Sequence, residues 1–174
     1  MSTILNTNGS QLEIPEILEP SGFKCAIFTA EWNTAITGAL RDGAIDVLKK
    51  AGVADSSIFL QDVPGTVELV NAAGMALNYM PDLKAIIVIG CVIRGDTPHF
   101  DYVCQIAAQG CAELNAKGKT PVIFGVLTVD TLEQAQERAG GVLGNKGAEA
   151  AVAAIRMANM HTGAAGLRYT SFRE

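Results

Sequence analysis

Apolar and polar positions along the chain follow two rhythms. Four short runs are apolar and rich in β-branched residues: Phe23 to Thr29, Ser57 to Val63, Lys84 to Ile93 and Thr120 to Thr128. Each has the length of a strand, and the third, "KAIIVIGCVI", shows no alternation, the mark of a strand buried on both faces. Between these runs the apolar spacing widens to that of a helix. From Asn33 to Gly52, apolar side chains fall at Ile36, Leu40, Ala44, Val47, Leu48 and Ala51, one face of a helix that Asn33 is placed to cap and Gly52 to end. Further helices are predicted over Thr66 to Met80, Phe100 to Lys117, Thr131 to Ala139 and Gly147 to Met160.

Four strand-helix units in series imply a parallel sheet, because each parallel strand needs a crossover and the crossovers cover both faces. The expected fold class is α/β, a three-layer α/β/α sandwich on a four-stranded parallel sheet. At 174 residues the chain is expected to form one domain over 1–174, with an N-terminal arm over 1–21 able to dock on a neighbour and a loose C-terminal tail over 163–174. In such sheets ligands bind beyond the carboxyl ends of the strands. The informative segments are therefore the four strand mouths, "AEWN", "PGTVE", "RGDTPH" and "TVDT".

Charge and composition narrow the partners. A net charge of −5 repels nucleic-acid backbones and leaves only a local basic pocket for a small anion, so nucleic acid is not an expected partner. A hydrophobic fraction of 49% with a mean hydropathy of +0.26 exceeds what a solvated monomer needs, yet no apolar run reaches the roughly 20 residues of a membrane span. Surplus apolar surface without a membrane points to contacts between subunits. The opening segment "MSTILNTNGSQLEIPE" has neither a basic leader nor a long apolar run, so a cytoplasmic location is expected. Cys25, Cys91, Cys104 and Cys111 form no CxxC pair and lie mostly in apolar surroundings, which fits reduced, buried thiols. Two histidines, His99 and His161, complete no familiar metal spacing with them, and no metal is expected.

The third mouth carries the most chemistry. Gly95 permits a sharp turn, the amides entering the next helix offer an anion site to which Thr97 adds a donor, and His99 stands where an imidazole can move a proton near neutral pH. Asp96 opposes an anion unless its carboxylate turns away. The plainer alternative is that Asp96 and Thr97 cap a helix while His99 is a solvated first-turn residue. At the first mouth, Trp32 either stacks on a planar heterocycle or packs beside the helix start, and Asn33 either hydrogen-bonds that heterocycle or caps. Glu68 complements a helix dipole or accepts hydrogen bonds from a polyol. Arg138, closing a short helix, and Lys146, in "GNKGAE", each serve a helix terminus or grip a phosphate. The chain has no Walker loop, GxGxxG fingerprint or GxSxG elbow, so bound substrates and acid-base groups must suffice.

In order and spacing, "GCVIRGDTPHFDYV", "PVIFGVLT", "EQAQERAG" and "NKGAEAAVAAIRMAN", with the "WN" and "PGTVEL" mouths, resemble the lumazine synthases of riboflavin biosynthesis from about Phe23 to Met160. The resemblance implies a flavodoxin-like fold. It also implies condensation of 5-amino-6-(ribitylamino)uracil with 3,4-dihydroxy-2-butanone 4-phosphate to 6,7-dimethyl-8-ribityllumazine, with no cofactor. It places Trp32 against the pyrimidine, Thr66, Val67 and Glu68 on the ribityl chain, and Cys91, Val92 and Ile93 along the same pocket. Asp96, Thr97 and Arg138 match phosphate-binding positions, and His99 matches the proton-transfer residue. Phe124 and Arg138 match residues that reach the pocket of the adjacent subunit. Homo-oligomers are thereby implied, either pentamers or closed shells of twelve pentamers, with riboflavin synthase as an associated enzyme. Two departures stand out. Thr66-Val67-Glu68 replaces the Ala-Phe-Glu of many relatives, removing an aromatic wall, and the "GGVLGNKG" turn lacks a lysine often found near its start.

Overall fold

The four apolar runs pair as one parallel sheet in the order β2-β1-β3-β4, with β1 at Cys25–Ala30, β2 at Ile58–Val63, β3 at Ala85–Ile93 and β4 at Val122–Val129. The computed structural model describes residues 12–118 and 120–164. β3 is central, and Ala85 to Cys91 are all buried, as an unbroken apolar run requires. Helices α1 (Thr34–Lys50) and α5 (Lys146–Ala164) cover one face. Helices α2 (Glu68–Tyr79) and α3 (His99–Ala116) cover the other, and the short α4 (Leu132–Arg138) follows β4. The pleat sends Cys25, Ile27, Ile87 and Ile89 into the α1/α5 core and Ala26, Phe28, Ile86 and Val88 into the α2/α3 core. At about 1.5–3 kcal/mol for each fully buried large aliphatic side chain, these two layers dominate the favourable side of folding. The architecture is the three-layer, flavodoxin-like α/β/α sandwich expected from the sequence.

The strand order also locates the site. From β1 the chain steps outward to β2, then returns across β1 to β3 and β4, so the winding reverses between β1 and β3. The helices that follow these two strands leave on opposite faces of the sheet, and a crevice opens between their starts.

Helix α1 follows its predicted face, burying Ile36, Leu40, Ala44, Val47 and Leu48, with Thr37 beside them. Its end is a Schellman turn: Gly52 has φ +91°, its N–H donates to Lys49 O at 2.9 Å, and the Val53 N–H donates to Leu48 O at 3.0 Å. Val53 and Leu48 then share the core, closing the turn hydrophobically.

Two features differ from the sequence reading, and a third adds to it. A small antiparallel hairpin, β5 (Ala139–Gly141) and β6 (Gly144–Asn145), occupies most of the expected turn at Gly140 to Gly147 and begins one residue before it, made possible by positive φ at Gly140 and Gly144. Strands this short carry no alternation to read. Helix α5 continues past Met160 to Ala164, so the first two residues of the expected tail are helical, and 165–174 lie outside the described residues. The described part of the N-terminal arm packs on its own chain. Ile17 is buried, the Leu18 N–H donates to Asn159 Oδ1 at 3.0 Å, and Asn159 Nδ2 donates to Glu16 O at 2.7 Å, tying the arm to α5. Residues 1–11 lie outside the described residues.

Candidate active site

A cavity of about 480 Å³ opens at the C-terminal ends of β1 and β3, where the winding reverses. Residues from three mouths line it. Trp32 and Asn33 come from the first, Gly65, Thr66, Val67 and Glu68 from the second, and Cys91, Val92, Ile93 and His99 from the third.

Trp32 lies two residues past the end of β1 and is 73% exposed, so it does not pack beside the helix as the plainer reading had it. Asn33 occupies the N-cap position of α1 and its carbonyl accepts from the Ile36 and Thr37 amides at 2.8 and 3.0 Å. Its side chain, however, does not cap. The residue adopts φ 59°, ψ 46°, and Nδ2 donates instead to Cys91 O at 2.9 Å, joining the first mouth to the third. A carbonyl acceptor can take only the NH₂ of the amide, which fixes how the side chain is turned. Asparagine tolerates this left-handed conformation better than most residues.

At the second mouth, a Cβ on Gly65 would stand 2.9 Å from Glu68 Oε2 and 3.7 Å from the Trp32 ring, so glycine lets the backbone come up between them. Helix α2 begins at Glu68 rather than Thr66. Thr66 is 6% exposed, and its side chain lies over Gly90, where an added Cβ would be 2.9 Å from Oγ1. The hydroxyl is thus turned to the sheet, leaving main-chain groups at this position for a ligand.

At the third mouth, Cys91 is 2% exposed, and burial pushes its thiol up to about 11. It stays protonated at neutral pH and lines the cavity without being a nucleophile. Cys25 and Cys111 are buried likewise, with thiols pushed up to about 12 and about 11 by the same desolvation. His99 is the first residue of α3, exposed, and on the cavity wall. Val103, one turn further along α3, also lines it and was not anticipated. Its signal was available in the i, i+4 spacing from His99. Asp96 and Thr97 are exposed and outside the lining. Neither caps α3, whose N-cap is Pro98 without a side-chain hydrogen bond. Gly95 has no positive φ, and a Cβ there would meet open space, so the bend that follows at Asp96 and Thr97 does not require glycine at 95.

Phe124, Arg138 and Lys146 gather elsewhere, in a cleft of about 330 Å³ along β4, an edge strand among the described residues. Arg138 closes α4 and donates from Nη1 to Gln134 O at 2.9 Å, which is the helix-terminus role. Lys146 opens α5 and pairs with Glu149, Nζ to Oε1 at 2.8 Å and to Oε2 at 3.0 Å, with side chains only 14% and 15% exposed. Glu149 went unnoticed in the sequence, although its i, i+3 spacing from Lys146 was the available sign. The edge cleft and the cavity share no lining residue. One chain therefore does not bring Phe124, Arg138 and Lys146 to Trp32, Glu68 and His99.

Among the described residues, no three His, Cys, Asp or Glu side chains converge to hold a metal ion, and no helix is long and apolar enough to cross a membrane. A family profile described as 6,7-dimethyl-8-ribityllumazine synthase matches residues 22–162, which span every element just described from β1 through most of α5. The chain belongs to the lumazine synthase family. Proteins named 6,7-dimethyl-8-ribityllumazine synthase are similar to it along most of their length. That of Bacteroides fragilis is 54% identical over 134 residues, 77% of this chain and 93% of the relative. That of Porphyromonas gingivalis is 54% identical over 137 residues, 79% and 84% of the two chains, and that of Phocaeicola vulgatus 47% over 150, 86% and 89%. Membership makes the protein an enzyme, a transferase of riboflavin biosynthesis that acts on small molecules. In this lumazine synthase family member, the cavity at the β1 and β3 mouths is the candidate substrate site, and the edge cleft of β4 holds the remaining candidate residues.

Proposed function

We propose that this protein condenses 5-amino-6-(ribitylamino)uracil with 3,4-dihydroxy-2-butanone 4-phosphate to 6,7-dimethyl-8-ribityllumazine, releasing phosphate and two molecules of water. One observation carries the reading: an exposed indole, a carboxylate and an imidazole, from Trp32, Glu68 and His99, meet around one cavity in a chain whose family profile covers 22–162. Trp32 stacks on the pyrimidine. Glu68 accepts hydrogen bonds from the ribityl hydroxyls, with main-chain groups of Thr66 and Val67 beside it. Cys91, Val92 and Ile93 wall the pocket, and Asn33 braces it through Cys91 O.

The amine of the first substrate attacks the ketone, and loss of water gives a Schiff base. Phosphate then leaves, and the ribitylamine nitrogen closes the ring with loss of the second water. His99 relays protons, while Asp96 and Thr97 flank the departing phosphate and Arg138 of an adjacent subunit pairs with it. Phe124 and Lys146 reach the pocket from that same neighbour. The chain acts as a single-domain subunit of a cytoplasmic homopentamer, with closure into a shell of twelve pentamers and association with riboflavin synthase as the further extension. Juxtaposing two intrinsically reactive substrates supplies much of the acceleration, an effective molarity of ~10⁵ M being worth about 7 kcal/mol.

The test is direct. The two substrates are mixed with the protein, and lumazine absorbance and free phosphate are followed together. Equimolar appearance of both, faster than in the protein-free mixture, is expected. A rate equal to the uncatalysed one removes the proposal.

A further inference from the structure

The segment from Gly95 to His99 carries the imidazole of the proposed site yet does little to hold itself in place. Gly95, Asp96, Thr97, Pro98 and His99 are all exposed, and Pro98, the N-cap residue of α3, offers no side-chain cap. Among the described residues, no side chain from Gly95 to His99 makes a hydrogen bond.

What holds the segment is the residue just before it. The Arg94 backbone N–H donates to Val129 O at 2.9 Å, which fastens the end of β3 to the end of β4. Its Nε donates to Asp130 Oδ1 at 2.8 Å and its Nη1 to Asp101 Oδ1 at 3.2 Å. The guanidinium carbon also lies 4.1 Å from the centroid of the Phe100 ring. Phe100 and Asp101 belong to the first turn of α3. One planar cation therefore ties both ends of the His99 segment together and ties that segment to the fourth mouth. A guanidinium suits this task because it donates along its edges while stacking on a face, and an ammonium cannot do both. Exposed pairs of this kind add little to global stability, so their effect is local order. Arg94 does not line the cavity.

Resting on the reaction proposed above, we propose that Arg94 is the positioning residue of the site: it fixes Thr97 and His99 against the mouths of β3 and β4 without touching substrate. Its partners Asp101, Asp130 and Phe100 form the rest of the latch.

The experiment compares the full chain with its Arg94→Lys and Arg94→Ala variants by hydrogen-deuterium exchange and steady-state kinetics. Exchange of amides in 95–103 is expected to quicken about tenfold in both variants while peptides from β1 and α1 keep their rates. KM for the phosphorylated ketone should rise about tenfold and kcat should fall, with KM for the ribitylaminouracil within about twofold of the parent. Unchanged exchange over 95–103 overturns the proposal, and so does faster exchange with both KM values unmoved, which reduces Arg94 to a brace. Exchange is read without turnover. A parent protein that makes no lumazine therefore sinks the proposed reaction, while the exchange comparison alone still decides the latch. The double variant Asp101→Asn with Asp130→Asn cuts the same links from the other side and should reproduce the exchange and KM changes. If it does not, the latch is wrong even where the Arg94 variants fail to fold.

Discussion

Trp32 exposes 73% of its surface beside a cavity, an unusual placement for the largest apolar side chain unless something covers it. Stacking on a heterocycle supplies that cover, and truncating such a platform costs about 1–3 kcal/mol per base. Trp32→Ala should therefore raise KM for the ribitylaminouracil by about tenfold or more, with KM for the phosphorylated ketone nearly unchanged. Because Trp32 is the sole tryptophan of the chain, its emission reports on this position alone. Titrating the parent protein with the lumazine product should quench that emission, and a fluorescence titration that leaves it unaltered would show that the ring is not at the binding site. Cys91 beside it has a different part. Its thiol is held protonated by burial, so the residue matters for wall shape and for the carbonyl that receives Asn33.

Elements were more legible than the contacts between them. The run Ala85 to Ile93, short and rich in β-branched side chains, and the helical spacing of Ile36, Leu40, Ala44 and Val47 both appear as expected. Asn33 was legible as a cap position, but not in its bond to Cys91 O, because a bond across 58 residues leaves no local pattern. Asp96 and Thr97 misled for the opposite reason: they have capping chemistry at a capping position, yet Pro98 takes the place. The packing of α1 on α5 was equally hidden. Asn145 Oδ1 accepts from the Gly147 and Ala148 amides at 2.9 and 3.0 Å, capping α5, while its Nδ2 donates to Ala39 O at 2.9 Å on α1. Gly147 then presses on α1 so closely that a Cβ there would overlap the Leu40 carbonyl. Backbone cannot yield as a side-chain tip can, so Gly147→Ala should destabilise the fold by about 3 kcal/mol. Urea unfolding with an unchanged m-value would measure this. Gly95→Ala, where a Cβ meets open space, is the control and should leave the midpoint in place.

At the scale of the whole molecule, both edges of the sheet are open among the described residues. β2 exposes Leu60 and, in an apolar groove of about 510 Å³ that also takes in Met75 and Tyr79 of α2, Phe59, and β4 exposes Phe124 at the opposite edge. Open strand edges and apolar grooves call for cover, and a second copy of the chain is the partner the proposed site requires. The division of candidate residues between cavity and edge cleft makes that requirement testable without solving an assembly. A His99→Ala chain has an impaired cavity and an intact edge, and an Arg138→Ala chain has the reverse. If each site joins the cavity of one subunit to the edge of the next, random mixing at equal amounts restores a complete pair at about a quarter of sites. Each variant alone should form lumazine slowly, and co-expressed variants should reach about a quarter of the parent rate. Mixing the two after separate assembly should restore nothing unless subunits exchange. Were the site confined to one chain, co-expression would give only the average of the two weak activities, because no subunit would hold both His99 and Arg138. The co-expressed rate thus reads the chain origin of the two groups directly, whatever the number of subunits in the ring.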